Sequence, residues 1–427
     1  MPPPPGMDPS QLESFTELLF HTPRGITGHI MLFSFFIIAV TATPIVRRRA
    51  FEVFYFCHHL FIVILVAMLI HVKLATEYFP YLGAFIIIYA VDRIYRVVRA
   101  YSSQARIHKA VPHNDGVVEV RFTAQMIQPL PGQFVRICCP SVDPLQWHPF
   151  TLTTVPGKNN TASIHFRTVG GFTREFARKL GCSSYANTVG DDADAPQFSA
   201  SLDSRCSLRN DNAGQTARSL RIFVDGPYGA PTQHLFNYSV GVMIAGGIGI
   251  TPFLSAMKYH LTKSIAGEST QLRRLYLIWS VRDLGALEWL GDLWEMLRVQ
   301  EQQGRFADVY TVVVYYTNTK DGSNLPVKVV EDSPWGTHAL DLESLSATEG
   351  PVKVPDNLPS CVQVYLYRPD YCKALRHIAS QNSKTRIGVI GCGVKAMNRS
   401  VRLQLQAISG SIARDHSVHY EFRAEHF

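Results

Sequence analysis

Hydrophobic positions along the 427-residue chain fall into three regimes. In the first, long apolar runs dominate. Residues 26–46 are nearly uncharged and long enough to cross about 30 Å of hydrocarbon. Arg47, Arg48 and Arg49 follow at once. Residues 51–72 form a second spanning run. Residues 78–91 form a shorter third, open also to a re-entrant or interfacial reading, with Arg93, Arg96 and Arg99 after it. Basic clusters at alternate span ends fit the positive-inside rule, which places the Arg47–Arg49 loop and everything after Arg93 in the cytosol. Residues 1–25 and the loop near 73–79 then face the other side. The Pro-rich stretch 1–9 predicts disorder, and no basic residues precede an apolar core as in a secretory signal.

After Tyr101 the period shortens. GVVEVRFT (116–123) and IHFRT (164–168) alternate apolar and polar, and GQFVRIC (132–138) is another short strand. Pro and Gly break the runs about every ten residues, which predicts an antiparallel barrel. Residues 183–217 are polar and rich in Asp, Ser and Asn, the composition of a disordered insertion. DGPYG (225–229) is a tight turn that closes this part. Beyond residue 235 the apolar runs become continuous, as buried parallel strands require: 242–245, RLYLIW (274–279) and RIGVI (386–390). Each ends at a glycine or polar turn, and 253–260 reads as the helix after the first. Glu288, Trp289 and Trp294 fit the packing face of a helix, and 321–359 is a polar stretch of low order. The boundaries are therefore a tail at 1–25, membrane spans at 26–100, a barrel at 101–230 and an α/β domain at 231–427.

Composition narrows the picture. Hydrophobic residues make up 46% and charged residues 18%, which suits a soluble portion joined to a membrane portion. Net charge is +7, but Lys and Arg are scattered with no basic stripe carrying aromatics, so nucleic acid is excluded as a partner. The eight cysteines show no metal spacing and no C-x-x-C, which reads as free thiols in a reducing compartment.

Candidate chemistry lies at four places. His58, His59 and His71 sit in an apolar run, where histidine is expensive. His58 and His71 are 13 residues apart, about 20 Å along a helix, the separation of two haem irons near opposite bilayer faces. Thirteen steps also leave them roughly 140° apart, so His58 and His59 in the interface with His71 capping the far end is the competing reading. WHPFTLTT (147–154) offers an aromatic platform, a histidine and hydroxyls to a flat ring with a hydroxylated chain; a plain edge strand is the alternative. Arg167 and GGFT (170–173) offer a cation and backbone donors to a pyrophosphate, or are a surface charge beside a loop.

The fourth place is Gly246 to Pro252, a strand, glycine turn and helix start in the pattern G-x-G-x-x-P. Free N–H groups and the helix dipole make such a turn an anion site; a tight packing turn is the alternative. Three strand ends converge there on one crevice. Arg282 is placed for the 2′-phosphate that separates NADPH from NADH, or pairs with Asp283 or Glu288. Cys392 can meet a nicotinamide ring, or is a buried small side chain. The terminal Phe427 can cover a flavin face, or fray.

Taken in order, FEVFYFCHHLFIVILVAMLIH, QWHPFTLTT, DGPYG, AGGIGITPF, WSVRDLGALEW, the 391–393 turn and FRAEHF resemble the NADPH oxidase and ferric reductase superfamily, from about Ile26 to Phe427. The Arg-Asp…Glu-Trp segment and aromatic terminus look more like the oxidase branch. The resemblance implies a membrane α-helical bundle joined to a ferredoxin-reductase-like dehydrogenase: an antiparallel β-barrel for FAD and an α/β Rossmann-like domain for NADPH. It implies His58 and His71 as axial ligands of haem b, two haems in an intact homologue. It implies His148, Pro149, Phe150 and Thr151 at FAD, with Arg167 and Thr173 at its phosphates. Gly247, Gly249 and Pro252 would line the NADPH pyrophosphate, Arg282 its 2′-phosphate and Cys392 its nicotinamide, with Phe427 near the flavin.

The implied activity is electron transfer from cytosolic NADPH through FAD and haem to oxygen, giving superoxide. A ferric-chelate reductase and a non-catalytic membrane subunit are the alternatives. Lipid, molecular oxygen or a ferric chelate, and membrane or cytosolic regulatory subunits are the implied partners, and the plasma membrane the expected location. The chain starts where the family's fourth span is expected, so the span with the opposite haem histidines is expected to have been lost by truncation. Val394 replaces the family's proline after Cys-Gly, and no calcium loop of the EF-hand form is present.

Overall fold

A computed structural model of the chain describes residues 15–71, 79–102, 104–124, 129–154, 160–182, 220–305, 308–318, 327–330, 333–341 and 358–425. The Pro-rich tail, the loop near residue 73, the insertion at 183–217, most of the 321–359 stretch and Phe427 lie outside the described residues. The chain divides into two compact units, Met1–Val98 and Arg99–Phe427.

The first unit is helical: α1 (Phe15–Phe20), α2 (Pro23–Thr41), α3 (Pro44–Arg49), α4 (Phe51–His58), α5 (Leu60–His71) and α6 (Phe79–Ser102), whose last residues enter the second unit. Thr22 caps α2 by accepting from Gly25 N at 3.0 Å, and Pro23 fills a first-turn position that needs no N–H donor. The apolar run predicted as one span over 26–46 is interrupted. Pro44 disfavours helical geometry at the residue before it, and Thr43 is extended with ψ 146°. Among the described residues, two helical stretches are long and apolar enough to cross a membrane: Pro23–Thr41, and Phe51–His71, which is α4 and α5 with a turn at His59 between them. Leu32, Phe33, Phe35 and Phe36 are exposed on the first, as lipid contact requires. The third predicted span differs from both. The arginines expected after it lie within α6, where Asp92 pairs with Arg93 and, at 3.0 Å, with Arg96.

The second unit begins with an antiparallel sheet: β1 (Gln104–His113), β2 (Val117–Thr123), β3 (Phe134–Cys139), β4 (Asp143–Thr151), β5 (Thr161–Arg167) and β6 (Arg221–Tyr228). Its order is β4-β3-β6-β1-β2-β5. A bridge between Leu152 and Ile164 joins the two edge strands and closes the barrel. Strand alternation sends Val118, Val120 and Phe122 into the barrel core with Ile164, Phe166 and Phe176 of α7 (Gly171–Lys179). Val117 points the other way, into the core of the next sheet.

That sheet has eight strands: β7 (Val240–Gly246), β8 (Arg274–Val281), β9 (Tyr310–Tyr316), β10 (Val327–Val329), β11 (His338–Leu340), β12 (Val362–Leu366), β13 (Arg386–Cys392) and β14 (His419–Glu425). The order is β10-β11-β12-β9-β8-β7-β13-β14, parallel from β12 to β14. Helices α8 (Thr251–Ile265), α9 (Gly291–Gln302), α10 (Tyr371–Gln381) and α11 (Lys395–His416) cover it, with separate apolar cores on the two faces. The chain runs from β7 outward through β8, then returns to the other side of β7 as β13. The carboxyl ends of β7 and β13 therefore flank the point where strand order reverses, where ligands of open α/β sheets bind.

Candidate functional site

At that switch point the glycine turn follows β7 directly. Gly247 has φ +53°, a backbone state that suits glycine, and a Cβ there would meet only open space. Gly249 is glycine for a different reason: a Cβ would lie 2.4 Å from the Cys392 carbonyl oxygen. The Trp279 indole donates to the Gly247 carbonyl at 3.0 Å and fixes the turn. Pro252 stands in the first turn of α8, so this helix opens its N-terminus beside the turn. Gly249 serves close packing, while Gly247 borders space a ligand can fill.

Cys392 ends β13 in register with Ala245 of β7 and Glu425 of β14. Its thiol is fully buried, and burial with the Glu425 carboxyl pushes its pKa far up, so it stays a neutral, compact side chain. Glu425 is buried too, and burial raises its carboxyl to about 7. Thr232 holds it through the backbone N–H at 3.2 Å and through its hydroxyl. The sequence pattern did not single out Glu425. Alternation along the edge strand β14 sets Glu425 on the polar face with His419, Glu421 and Arg423, opposite Tyr420 and Phe422, so no local signal marked its burial, which Thr232 supplies from 193 residues earlier.

Arg282 is exposed just past β8. Its neighbour Asp283 accepts from Gly285 N at 2.9 Å and caps the following turn. Arg167 is not turned to open space. Its Nε donates to the Asp115 carbonyl at 3.2 Å and its terminal nitrogen pairs with the Asp115 carboxylate. Burial raises the Asp115 pKa against the pull of Arg167, with Asp283 and Arg282 close enough to act on it.

On the barrel, β4 presents the other predicted residues. Phe150 is buried in the core and Thr151 is 4% exposed, paired across the ladder with Phe134, while Pro149 is exposed. His148 stacks on Phe172 with centroids 3.9 Å apart, and its Nε2 lies 2.9 Å from Gln146 Oε1. Thr173 caps α7: Gly170 N donates to its hydroxyl oxygen at 3.0 Å. His148, Phe172 and Thr173 thus gather at the α7 N-terminus. Arg167 does not join them. Tyr228 of the DGPYG turn stacks on Phe134 at 5.3 Å, under the Arg136 guanidinium, and donates to Asp225, which also pairs with Arg99. This aromatic pair beside Thr151 was not picked out from sequence.

In the first unit, the Thr27 hydroxyl donates to the Pro23 carbonyl at 2.7 Å and lies 2.9 Å from His71 Nδ1. With its proton committed, Thr27 accepts from Nδ1–H, so the His71 lone pair is on Nε2. His58 is exposed between the rings of Phe54 and Phe61. Helix α4 ends at His58, and the turn at His59 separates it from α5.

Comparison with known proteins follows this layout. Residues 7–69 match the family model "Ferric reductase like transmembrane component", 102–232 match "FAD-binding domain" and 238–406 match "Ferric reductase NAD binding domain". NADPH oxidase 3 of Rattus norvegicus is 27% identical over 96% of this chain and 71% of its own. A superoxide-generating NADPH oxidase heavy chain of Dictyostelium discoideum is 27% identical over 96% of this chain and 54% of its own. Dual oxidase 2 of Sus scrofa is 28% identical over 96% of this chain but 24% of its own. A ferredoxin NADP+ reductase from Neisseria gonorrhoeae, solved with FAD and NADP, superposes on 75% of this chain and 98% of its own at TM-score 0.39 and 14% identity. Three family models in this order, with relatives matching across nearly the whole sequence, give the assignment: the chain belongs to the NADPH oxidase and ferric reductase superfamily, as a membrane oxidoreductase with FAD-binding and NAD(P)-binding domains.

Proposed function

We propose that this chain passes electrons from cytosolic NADPH across a membrane, the plasma membrane, to molecular oxygen, and that superoxide is the product. FAD would supply hydride acceptance and single-electron release, and haem iron the path through the bilayer. The observation that carries the reading is the opening beside Gly247 at the β7–β13 switch point, in the same turn whose Gly249 packs on Cys392.

The residues fit these groups. Gly247 borders open space where a side chain would intrude, and the α8 N-terminus with Gly249 and Pro252 offers backbone donors to a pyrophosphate. Arg282, exposed at the neighbouring strand end, binds the 2′-phosphate and selects NADPH. Neutral Cys392 supplies shape rather than a nucleophile where the nicotinamide comes in. His148, Pro149, Phe150 and Thr151 hold the flavin, and Thr173 and the α7 N-terminus receive its phosphates. Arg167 assists only by leaving Asp115, so FAD phosphate competes with that carboxylate. Phe427 is assigned to the flavin face. His71 suits an iron because Thr27 fixes its tautomer and leaves Nε2 as the donor atom. His58 is assigned the second haem.

The test is NADPH-driven reduction of cytochrome c in membranes bearing the chain, with and without superoxide dismutase. Dismutase-sensitive reduction is expected. NADPH oxidation that reduces ferric chelates and yields no superoxide would overturn the choice of acceptor, and no NADPH oxidation would overturn the enzyme.

A further inference from the structure

Apart from the nucleotide sites, one cluster in the second unit has the makings of a ligand site. Glu119 of β2 and His165 of β5 are direct cross-strand partners, and His113 ends β1 opposite Val117, two residues from Glu119 on the same face. That face turns from the barrel core toward the α/β sheet, because Val117 packs in the latter's core. One ligand atom from each of His113, Glu119 and His165 lies within 4.8 Å of the other two.

The hydrogen bonding around the cluster is incomplete in a telling way. Glu119 and His165 are each 6% exposed. His165 Nδ1 is 3.0 Å from the Thr153 hydroxyl, itself 2.9 Å from Ser163. Its Nε2 is buried with no hydrogen-bond partner among the described residues, and so is Nε2 of His113, which lies 3.6 Å from Glu119 Oε2. A buried orphan nitrogen forfeits its hydration without replacement, and two of them beside one carboxylate oxygen call for a shared partner. The cations nearby are otherwise engaged. Arg121 binds Glu119 Oε1 at 2.5 Å and Asp292 at 2.8 Å, and Lys258 of α8 lies 3.5 Å from Asp292 of α9. Glu119 Oε2 is left facing His113.

We propose that His113, Glu119 and His165 bind a divalent first-row transition-metal ion of the zinc class. Two imidazoles and one carboxylate with a fourth position open are a ligand set such ions accept, at about 2.0–2.2 Å per bond. The ligand atoms need side-chain movements of roughly 1 Å to close on that geometry. The Thr153 hydroxyl, 3.0 Å from His165 Nδ1, can accept from Nδ1–H, which holds the ring and leaves the Nε2 lone pair for the ion. The ion ties β1, β2 and β5 together on the side facing α8 and α9. This inference does not depend on the electron-transfer reading.

The experiment uses the full chain in detergent without a polyhistidine tag, dialysed against buffered Zn2+ and assayed by elemental mass spectrometry. Wild type is expected to hold one Zn2+ more per chain than His113→Ala/His165→Ala, and Glu119→Gln to weaken retention at least tenfold. Equal zinc in wild type and the double variant overturns the proposal. Because the alanines also remove packing, zinc-edge X-ray absorption is measured on the unmutated chain. A nitrogen and oxygen shell near 2.0–2.1 Å with imidazole scattering is expected; a thiolate or all-water shell overturns the site.

Discussion

Glu425 makes stability fall as pH rises. Its buried carboxyl is raised from 4.5 to about 7, so between these values the folded state holds a proton that the unfolded chain releases. Stability from this group is present below pH 4.5 and lost as pH climbs through 7, the reverse of an ion-paired carboxylate. The full shift of about 2.5 units corresponds to roughly 3 kcal/mol at about 1.4 kcal/mol per unit, of which about 2.5 kcal/mol falls between pH 5 and pH 8. Glu425→Gln removes the titration and keeps an acceptor for Thr232 N–H and hydroxyl. The assay is urea unfolding of the full chain in detergent, followed by tryptophan fluorescence at both pH values, in wild type and variant. The other titrating groups cancel in the difference. Wild type is expected to lose about 2.5 kcal/mol more than the variant on going from pH 5 to pH 8. A difference near zero, or a wild type that gains stability with pH, refutes the argument.

The glycine turn separates two kinds of damage. Gly249→Ala drives a Cβ to 2.4 Å from the Cys392 carbonyl and is expected to cost about 2–4 kcal/mol in urea unfolding. Gly247→Ala meets no atom and pays only its left-handed backbone, about 1 kcal/mol, but is expected to raise the KM for NADPH at least tenfold; unchanged KM would remove the turn from the nucleotide site. Arg282→Ala, on an exposed residue, is expected to leave stability within about 0.5 kcal/mol while NADPH preference over NADH drops at least tenfold. Unaltered preference in steady-state kinetics would reassign the 2′-phosphate. Thr27→Val keeps shape and removes the acceptor for His71 Nδ1–H. The expected result is a shifted haem reduction potential in redox titration of membranes, and an unmoved potential would mean His71 is not a ligand.

What the sequence disclosed divides by the range of the interaction involved. Val242 to Ala245 could be read as a buried parallel strand because burial on both faces demands a continuous apolar run, and β7 indeed lies between β8 and β13. The breaks in the first apolar run were legible too, since Pro44 forbids a continuous helix at Thr43, yet counting hydrophobic residues alone carried the span past it. Pairings across distance were not legible. Arg167 looked available for a phosphate because nothing local shows that the Asp115 turn, 52 residues earlier, delivers a carboxylate to it. For the same reason the turn read as either an anion site or tight packing, and the Cys392 carbonyl from β13 that bars a Cβ at Gly249 was out of sight. His113, Glu119 and His165 are spread over three strands, and only the register of β1, β2 and β5 makes them one cluster. A local clue was nonetheless present: in GVVEVRFT the charged positions fall opposite Val118, Val120 and Phe122, so once the barrel core claims those three, Glu119 and Arg121 must face whatever packs outside it. A charged face buried against a second sheet has to be neutralised or bound, so the pattern marks Glu119 and Arg121 as residues in need of partners, while the two histidines that join Glu119 come only with the strand register.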